Sequence, residues 1–288
     1  MPADMTFTFL GTAAANAFPE AFCDCRNCAQ ARALGGRSLR KRSAALINDD
    51  LLIDLGPDIM AASQIHGRPL HQVRYCLQTH PHADHLDLSH LLSRSPAYGV
   101  LGAPVLEFYA SHETLERAAA TFERDLASFG LLTPEAQQHL NLKIQCIKPM
   151  ESFTAGPYSV TAFPANHAPG MGALLYAIEA NGHAVFYGTD TAALFEQTWQ
   201  VFRARKMRFN VVILDHTYGP EQPGSDHLSA HEVIEHANGM REEGVLDRGG
   251  RVLATHIAHE GNPAHDDLNA FAKAHGYEVA YDGLVVEL

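Results

Sequence analysis

The amino-acid sequence predicts a mixed α/β domain with layered sheets. Short strand-like runs crowd the first half of the chain, and strands alternate with helix-like segments in the second half. This order of elements is typical of domains in which helices cover packed β-sheets. The 288 residues contain no internal repeat and no low-complexity linker, so we expect a single domain over residues 1–288.

Strands are expected where polar and apolar residues alternate, or where short apolar runs are bounded by turn residues. The first such run extends from Thr6 to Leu10 and ends at the Gly11–Thr12 turn. The same criteria predict further strands at 44–48, 51–54, 73–79, 142–148, 158–163, 173–179, 183–188, 210–214, 251–255 and 284–287.

Apolar residues that recur at steps of three and four predict helices. The longest such segment is 112–140, where the recurring residues are Leu115, Ala118, Ala119, Phe122 and Leu126. Three further helices are expected at 191–205, 229–243 and 264–275. The helical segment 107–140 is either an inserted lid or an ordinary part of the scaffold, and the sequence does not decide between the two.

The charge and hydropathy of the chain limit its function class. The formal net charge is −12, and a chain this acidic repels a long nucleic-acid backbone unless a basic patch or bound metal reverses the field. A small anionic substrate remains compatible with buried dications. There is no apolar run long enough to span a membrane, and the N-terminus lacks the features of a signal peptide, so we expect a cytoplasmic protein.

One basic run stands out in this acidic sequence. It lies in GGRSLRKRS and consists of Arg37, Arg40, Lys41 and Arg42. The run is either a solvated loop or a lip that attracts phosphate, in which case its arginines would contact a phosphorylated substrate.

The stretch QTHPHADHLDL at 78–88 concentrates candidate metal ligands directly after an apolar run. Its H-x-H-x-D-H pattern comprises His80, His82, Asp84 and His85. Imidazole and carboxylate groups are ligands for divalent metals, and residues two apart on a loop can converge on one ion. Asp84 and His85 begin the next element and turn toward a second ion. A polar surface loop is the alternative, but it does not account for this spacing.

Four side chains are too few to coordinate two metal ions, so further ligands are expected at later strand ends. His167, Asp190 and His256 each follow a predicted strand. A lone histidine in such a position is more often structural, but here the order of strand and then ligand recurs four times. A carboxylate at position 190 can bridge two ions. The sequence therefore predicts a dinuclear metal centre.

Three of the five cysteines form a second cluster. Cys23, Cys25 and Cys28 lie in CDCRNC, and an odd cysteine count in a cytosolic chain argues against a disulfide framework. Closed structural zinc sites take four ligands, so a fourth must come from elsewhere. The candidate is His259, three residues after His256. The alternative is that the cysteines are free thiols.

The metal motif and the later strand-end ligands resemble the metallo-β-lactamase superfamily, from about residue 5 to the C-terminus. The resemblance implies a four-layered αββα sandwich with a dinuclear site along one edge. The implied ligands of the first ion are His80, His82 and His167. Those of the second ion are Asp84, His85 and His256, with Asp190 as the bridge. The ligand types suit zinc, manganese or iron.

Within that superfamily, the CDCRNC loop and the late HIAH segment resemble the PhnP-like cyclic-phosphate phosphodiesterases. The resemblance implies a structural zinc held by Cys23, Cys25, Cys28 and His259. It also places His227, in SDHLS, at the position of the catalytic histidine; without it, His227 is a histidine that precedes the helix predicted at 229–243. A homodimer is implied by the same analogy alone.

The implied function is hydrolysis of a small, cyclic phosphate ester such as a phosphoribosyl or nucleoside cyclic phosphate. Two divalent ions ~3.5–4 Å apart acidify a bound water, and the resulting hydroxide attacks phosphorus. Asp84 would orient this nucleophile, and His227 would donate a proton to the leaving alkoxide or a phosphoryl oxygen. A tRNA 3′-processing nuclease, a lactone or thioester hydrolase, and a non-hydrolytic carrier remain alternatives. The carrier is suggested by FLGTAAANAFPEAFCDCRNC, which resembles the start of PqqB.

Overall fold

Two mixed seven-stranded sheets form the centre of the structure, a computed structural model that describes residues 5–288. The first sheet has the order β14-β1-β2-β3-β4-β5-β6, with strands β1 (Thr6–Gly11), β2 (Ala44–Ile47), β3 (Leu51–Ile53), β4 (Tyr75–Leu77), β5 (Leu106–Ala110), β6 (Leu142–Cys146) and β14 (Val285–Glu287). The second has the order β13-β12-β11-β10-β9-β8-β7, with strands β7 (Ser152–Ala155), β8 (Tyr158–Pro164), β9 (Leu174–Ala180), β10 (His183–Gly188), β11 (Phe209–Asp215), β12 (Leu246–Thr255) and β13 (Glu278–Val279).

Helices cover the outer face of each sheet. Against the first sheet lie α2 (Ile59–His66), α3 (Ser89–Ser93), α4 (His112–Asp125) and α5 (Pro134–Leu140). Against the second sheet lie α1 (Arg26–Leu34), α6 (Glu196–Arg205), α7 (Ala230–Glu242) and α8 (His265–Ala274). The result is the four-layered αββα sandwich that the resemblance implies.

The layers are held together by three apolar cores. The central one fills the space between the sheets and includes Phe7, Tyr176 and Ile213, all fully buried. In each outer core, one face of a helix packs on a sheet, as Phe122 of α4 does. Burial of such side chains stabilises each by about 1.5–3 kcal/mol relative to exposure, which makes the sandwich a rigid support for its edge.

Local signals in the sequence account for several helix starts. The side chain of Ser111 accepts a hydrogen bond from Thr114 N (3.2 Å) and caps α4. Ser229 and Glu232 form a reciprocal capping box at α7, directly after the segment that carries His227. Caps of this kind satisfy backbone N–H groups that have no partner within the helix.

All the predicted strands are present, some with shifted ends, but the continuous helix predicted over 112–140 is wrong. The chain forms α4 and α5, and the residues between them are not helical. Pro134 occupies the first turn of α5, where its missing N–H costs nothing, and Thr133 caps that helix. The sequence also failed to predict α1, α2, α3, β5, β7 and β13.

The segment 107–140 is part of the first sheet and its cover. It begins within β5, which is hydrogen-bonded between β4 and β6, and α4 packs its apolar face on the outer core. Its description as an insertion stays a prediction. Within residues 5–288, no helix combines the length and the apolar character needed to cross a membrane.

Candidate metal centre

The predicted ligands meet at one edge of the sandwich, where strands of both sheets end. The H-x-H-x-D-H segment follows β4, and the later ligands follow β8, β10 and β12. Parallel strands carry their carboxyl ends to the same edge of a sheet, so residues distant in sequence become neighbours there. Three overlapping groups at this edge have ligand atoms within 4.8 Å of one another. Two of them consist of predicted ligands and are called the two clusters below: His80, His82, His167 and Asp190, and Asp84, His85, Asp190 and His256. The third contains Asp190, Asp215, His227 and His256.

Asp190 belongs to both clusters. Its Oδ2 lies 3.1 Å from His80 Nε2 and 3.1 Å from His85 Nε2, while its Oδ1 lies 3.3 Å from His167 Nδ1. The fourth neighbour is His256, whose Nε2 is 3.6 Å from Oδ2. Asp190 thus has the position that a bridging carboxylate needs.

The donor atoms fit divalent metal. Among the described residues, four buried side-chain atoms of the candidate ligands have no hydrogen-bond partner: His85 Nε2, His167 Nδ1, Asp190 Oδ1 and His256 Nε2. Buried polar atoms are normally hydrogen-bonded, and orphans of this kind call for an explanation. Nitrogen and oxygen atoms that face one another across 3–4 Å are what two adjacent metal ions require. The fold family implies divalent metal, and these side chains suit it.

The backbone at this edge adopts an uncommon conformation. Asp54, Asp190 and His256 have φ values of 66°, 56° and 61°, in the left-handed region that L-residues with a Cβ seldom occupy. Such a residue costs on the order of 1–2 kcal/mol and persists where the surrounding structure enforces it. The turn directs each side chain out of its strand and into the cluster.

A buried carboxylate orients His85. Asp54 Oδ2 accepts from His85 Nδ1 at 2.7 Å, and Asp54 also accepts hydrogen bonds from Thr79 N (2.8 Å) and Gln78 Nε2 (3.0 Å). A hydrogen bond at Nδ1 fixes the ring and leaves Nε2 as the metal-binding nitrogen. His256 is held in the same way, with its Nδ1 2.8 Å from Thr217 Oγ1.

Electrostatics keep the carboxylates of the centre ionised. Burial alone would raise the pKa of Asp190, but the imidazoles of His256, His80 and His85 around its carboxylate hold that pKa well below the usual range. Burial lowers the pKa of His167 to about 4, so its ring is neutral at physiological pH. Neutral imidazoles and ionised carboxylates are the protonation states that bind metal.

His227 lies beside the two clusters. Its Nδ1 is 3.3 Å from Asp190 Oδ1 and 3.3 Å from Asp215 Oδ2. Burial lowers its pKa, but the hydrogen bond and charge of Asp215 outweigh burial and raise the pKa to about 9. His227 lines a cleft of about 290 Å³, which is small for a ligand pocket. Five of the candidate ligands line the same cleft: His82, Asp84, His167, Asp190 and His256. The structure thus brings His227 to the site at which the sequence predicted it.

The cysteines and His259 form a separate cluster. The Sγ atoms of Cys23 and Cys25 both lie 3.5 Å from His259 Nδ1, and Cys28 completes the group within 4.8 Å. In a tetrahedral zinc site the metal lies ~2.3 Å from sulfur and ~2.0–2.1 Å from nitrogen, so a sulfur ligand and a nitrogen ligand are about 3.5 Å apart. The geometry therefore fits four-coordinate zinc.

Cys25 has the thiolate character that such a site needs. Burial would raise the pKa of Cys25, but hydrogen bonds from Cys28 N and His259 lower it to about 6. Burial raises the pKa of Cys28 to about 12, which keeps that thiol protonated until a metal displaces its proton. The remaining cysteines, Cys76 and Cys146, lie elsewhere, one in a core and one exposed.

Sequence comparison decides the family. A profile of the beta-lactamase superfamily domain matches residues 50–257. The chain belongs to the beta-lactamase superfamily. The superfamily match contains all seven dinuclear candidates and His227, whereas the cysteine cluster lies outside it. No curated protein gives a significant sequence match to the chain.

Solved structures resemble this superfamily member over almost its whole length. A diphosphatase of the PhnP family is 20% identical, with a TM-score of 0.74 and coverage of 100% of this chain and 98% of that one. Zinc-bound PqqB from Methylobacterium extorquens is 20% identical (TM-score 0.70; 98% and 100% covered). Human short-form tRNase Z is 15% identical (TM-score 0.65; 98% and 98% covered). At these identities the likeness shows the fold.

The basic run does not line the cleft of this superfamily member, so of the two alternatives for it the phosphate-attracting lip is disfavoured. Arg40 is buried and donates to Thr12 Oγ1 and the Ala280 carbonyl, while Arg42 binds both carboxylate oxygens of Asp58. Lys41 pairs with Asp282, and Arg37 stacks on Tyr281. No lysine or arginine occurs among the described residues that line the cleft.

The sequence did not identify two residues of the site, Asp54 and Asp215, although both lie at strand ends, as the candidate ligands do. Asp54 comes directly after β3, and Asp215 is the last residue of β11. A search for every carboxylate at a strand end would have found both. Their roles as partners of His85 and His227 depend on contacts between distant segments, which the sequence does not display.

Proposed function

We propose that the protein is a metal-dependent phosphodiesterase that hydrolyses a small, cyclic phosphate ester. The observation that carries this proposal is His227, held by Asp215 at 3.3 Å and lying 3.3 Å from the central carboxylate of Asp190. A proton donor fixed beside a dinuclear ligand set is what departure of an alkoxide from phosphorus requires. The likeness to a diphosphatase of the PhnP family supports hydrolysis at phosphorus.

The ligand clusters assign the metal-binding residues of the proposed centre. His80, His82 and His167 would hold one divalent ion, Asp84, His85 and His256 would hold the other, and Asp190 would bridge them. When bound, two such ions, for which we propose zinc or manganese (with iron also compatible), supply Lewis-acid stabilisation of phosphoryl oxygens and acidify a water. We propose that Cys23, Cys25, Cys28 and His259 hold a structural zinc.

The remaining chemistry is performed by the side chains around the ligands. His227 donates a proton to the leaving oxygen from Nε2, because its Nδ1 faces Asp215 and Asp190. Asp215 is fully buried and retains its negative charge. It stabilises the protonated imidazole of His227 before the transfer and holds the ring in place afterwards. Asp84, whose Oδ2 is 3.1 Å from His85 Nε2, orients the attacking oxygen.

The cleft supports a small substrate rather than RNA. A tRNA 3′-processing enzyme must neutralise several backbone phosphates with lysine or arginine side chains. Among the described residues, the cleft is lined by none of these, and it measures about 290 Å³. Both features favour a single phosphate ester.

The test is hydrolysis by metal-replete protein of a 2′,3′-cyclic nucleotide, a linear aryl phosphodiester and a lactone. We expect preference for the cyclic phosphate and a loss of at least about 1,000-fold in Asp190→Ala, which removes the shared ligand. Activity on the lactone alone would make the protein a carbonyl hydrolase. Inactivity toward all three with both ions bound would contradict hydrolysis and favour a carrier.

A further inference from the structure

A turn near the start of the chain forms one wall of the cleft. Its residues Ala14, Ala15, Asn16 and Ala17 line the cleft together with five of the candidate metal ligands. The backbone N–H of Ala17 donates to the carbonyl oxygen of Ala14 at 3.0 Å and closes the turn. Three of the four side chains are methyl groups, so the amide of Asn16 is the polar side chain that this turn contributes to the cleft.

Backbone hydrogen bonds fix this turn at both ends. Before the turn, the N–H of Ala14 donates to the carbonyl oxygen of Ile257 at 3.1 Å, and Ile257 directly follows the candidate ligand His256. After the turn, Phe18 and Arg40 exchange backbone hydrogen bonds of 3.0 and 2.6 Å. A binding group is positioned more precisely by a rigid support than by a mobile loop. The tip of the turn therefore has a fixed place beside the candidate metal centre.

The usual structural reasons for an asparagine in a turn do not apply to Asn16. Asparagine is common in turns because it tolerates a left-handed backbone and because its side chain can bond to the backbone two residues on. The left-handed residue of this turn is Ala17, with φ of 59°, whereas Asn16 has no positive φ. The side chain of Asn16 is exposed and makes no hydrogen bond or ion pair with any described residue.

The other polar side chains that line the cleft have partners within the described structure. Tyr218 donates to Asp226 at 2.8 Å, and Glu260 lies 3.4 Å from His259 Nε2. All the others belong to the candidate metal centre or bond to a member of it. Among the described residues of the cleft, Asn16 is thus the one whose uncharged donor and acceptor are both free for a bound molecule.

We propose that Asn16 recognises a sugar in the substrate through hydrogen bonds to its hydroxyl groups. The inference rests on the proposed function and narrows its substrate class to a cyclic phosphate ester of a sugar. The amide N–H groups of Asn16 donate to a hydroxyl oxygen, and its amide oxygen accepts from a hydroxyl. The cleft volume of about 290 Å³ lies just below the usual range for ligand pockets, so it suits a pentose better than a complete nucleotide.

The first arm of the test compares ribose 1,2-cyclic phosphate with ethylene phosphate, two five-membered cyclic diesters of which only the first has hydroxyl groups. Asn16→Ala should lower kcat/KM for the ribose ester by about five- to tenfold, as expected for loss of one or two hydrogen bonds to substrate. For ethylene phosphate, kcat/KM should change by less than about twofold, because no hydrogen bond is lost. An equal loss on both esters, or no loss on the ribose ester, would overturn the proposal.

A matched control is available in Asn238→Ala. It makes the same change at an exposed position of α7 that does not line the cleft, so both rates should stay as in the wild-type protein. The melting temperatures of the two variants are compared, and we expect them to agree because neither side chain is buried. A melting temperature lower by more than about 3 °C in Asn16→Ala would assign Asn16 a structural role instead.

A second arm does not depend on turnover. Calorimetry of metal-loaded protein compares ribose 1-phosphate with methyl phosphate, and Asn16→Ala should weaken binding of the first by about five- to tenfold and leave the second unchanged. If neither cyclic ester is hydrolysed, the proposed function fails, and the affinities still decide the role of Asn16. If the esters are hydrolysed but ribose 1-phosphate binds the variant and the wild-type protein equally, the proposed function stands and the role of Asn16 is refuted.

Discussion

The dinuclear candidate cluster and the cysteine cluster are built in different ways. The first gathers seven side chains from the ends of four strands, is largely buried and opens into a cleft. The second takes three side chains from one short segment and a single histidine from another. Catalytic metal sites keep a position open to substrate, whereas structural sites are closed by four protein ligands. The difference in construction therefore supports the proposal that the first cluster is catalytic and the second structural.

The two clusters are nevertheless adjacent. His256 belongs to the first and His259 to the second, and both lie in the turn after β12. Cys25 is also the N-cap of α1, so the cysteine segment is fixed to the second sheet's helical layer. A zinc ion in the cysteine cluster would hold this turn, and with it a ligand of the catalytic centre, in place.

The largest effect should follow from loss of the proton donor. In His227→Ala, we expect kcat to fall by about 10²–10⁴-fold, because general acid catalysis contributes that range. Metal content should remain unchanged, since the ligand clusters are complete without His227. Steady-state kinetics and elemental analysis of the same preparation test this, and loss of a catalytic ion would show that His227 is a ligand instead.

Loss of the cysteine cluster should affect stability more than chemistry. Cys25→Ser removes one of four candidate zinc ligands, and we expect a loss of about 3 kcal/mol in the free energy of unfolding, or roughly 6–12 °C in melting temperature. The dinuclear ions should stay bound. Cys146→Ser is the matched control, because this exposed cysteine lies outside the cluster. A melting temperature that falls equally in both variants would refute a structural zinc.

A smaller effect is expected when the hydrogen-bond partner of a candidate metal ligand is replaced. Asp54→Asn retains the shape of the side chain but weakens the hydrogen bond that holds His85. Loss of the group that orients a metal-binding histidine typically lowers metal affinity by about 10–100-fold. Titration with a competing chelator measures this for the catalytic ions. The cysteine cluster should keep its zinc, and an equal weakening of both sites would mean that Asp54 acts through the fold as a whole.

The sequence could identify the candidate ligands because each belongs to a short motif or directly follows a predicted strand. The H-x-H-x-D-H motif and three later strand ends can be recognised without knowing which strands are neighbours. His259 was predicted because three thiolates need a fourth zinc ligand. By contrast, Asp54 and Asp215 also stand at strand ends, but their roles as partners of His85 and His227 depend on contacts between distant segments, which no local pattern shows.

The same distinction, between local patterns and contacts that only the folded structure shows, explains where the prediction of the fold was wrong. The apolar spacing in 112–140 continues across the break between α4 and α5, because residues of the connecting segment such as Phe129 and Leu131 also pack on the core. The burial of Arg40 could not be predicted either. Its guanidinium donates hydrogen bonds to Thr12 Oγ1 and to the carbonyl oxygen of Ala280, which lies 240 residues further along the chain. Charge alone suggested a surface position.

Stepwise metal removal is the measurement that tests the central claim most directly. Purified protein is dialysed against increasing chelator, and metal content by mass spectrometry is followed together with cyclic-phosphate hydrolysis and melting temperature. We expect about three ions per chain at the start, and activity lost as two of them leave while one zinc remains. Re-addition of divalent metal should restore activity. Activity that persists after loss of the two labile ions, or that follows only the tightly held zinc, would contradict the separation of a catalytic centre from a structural one.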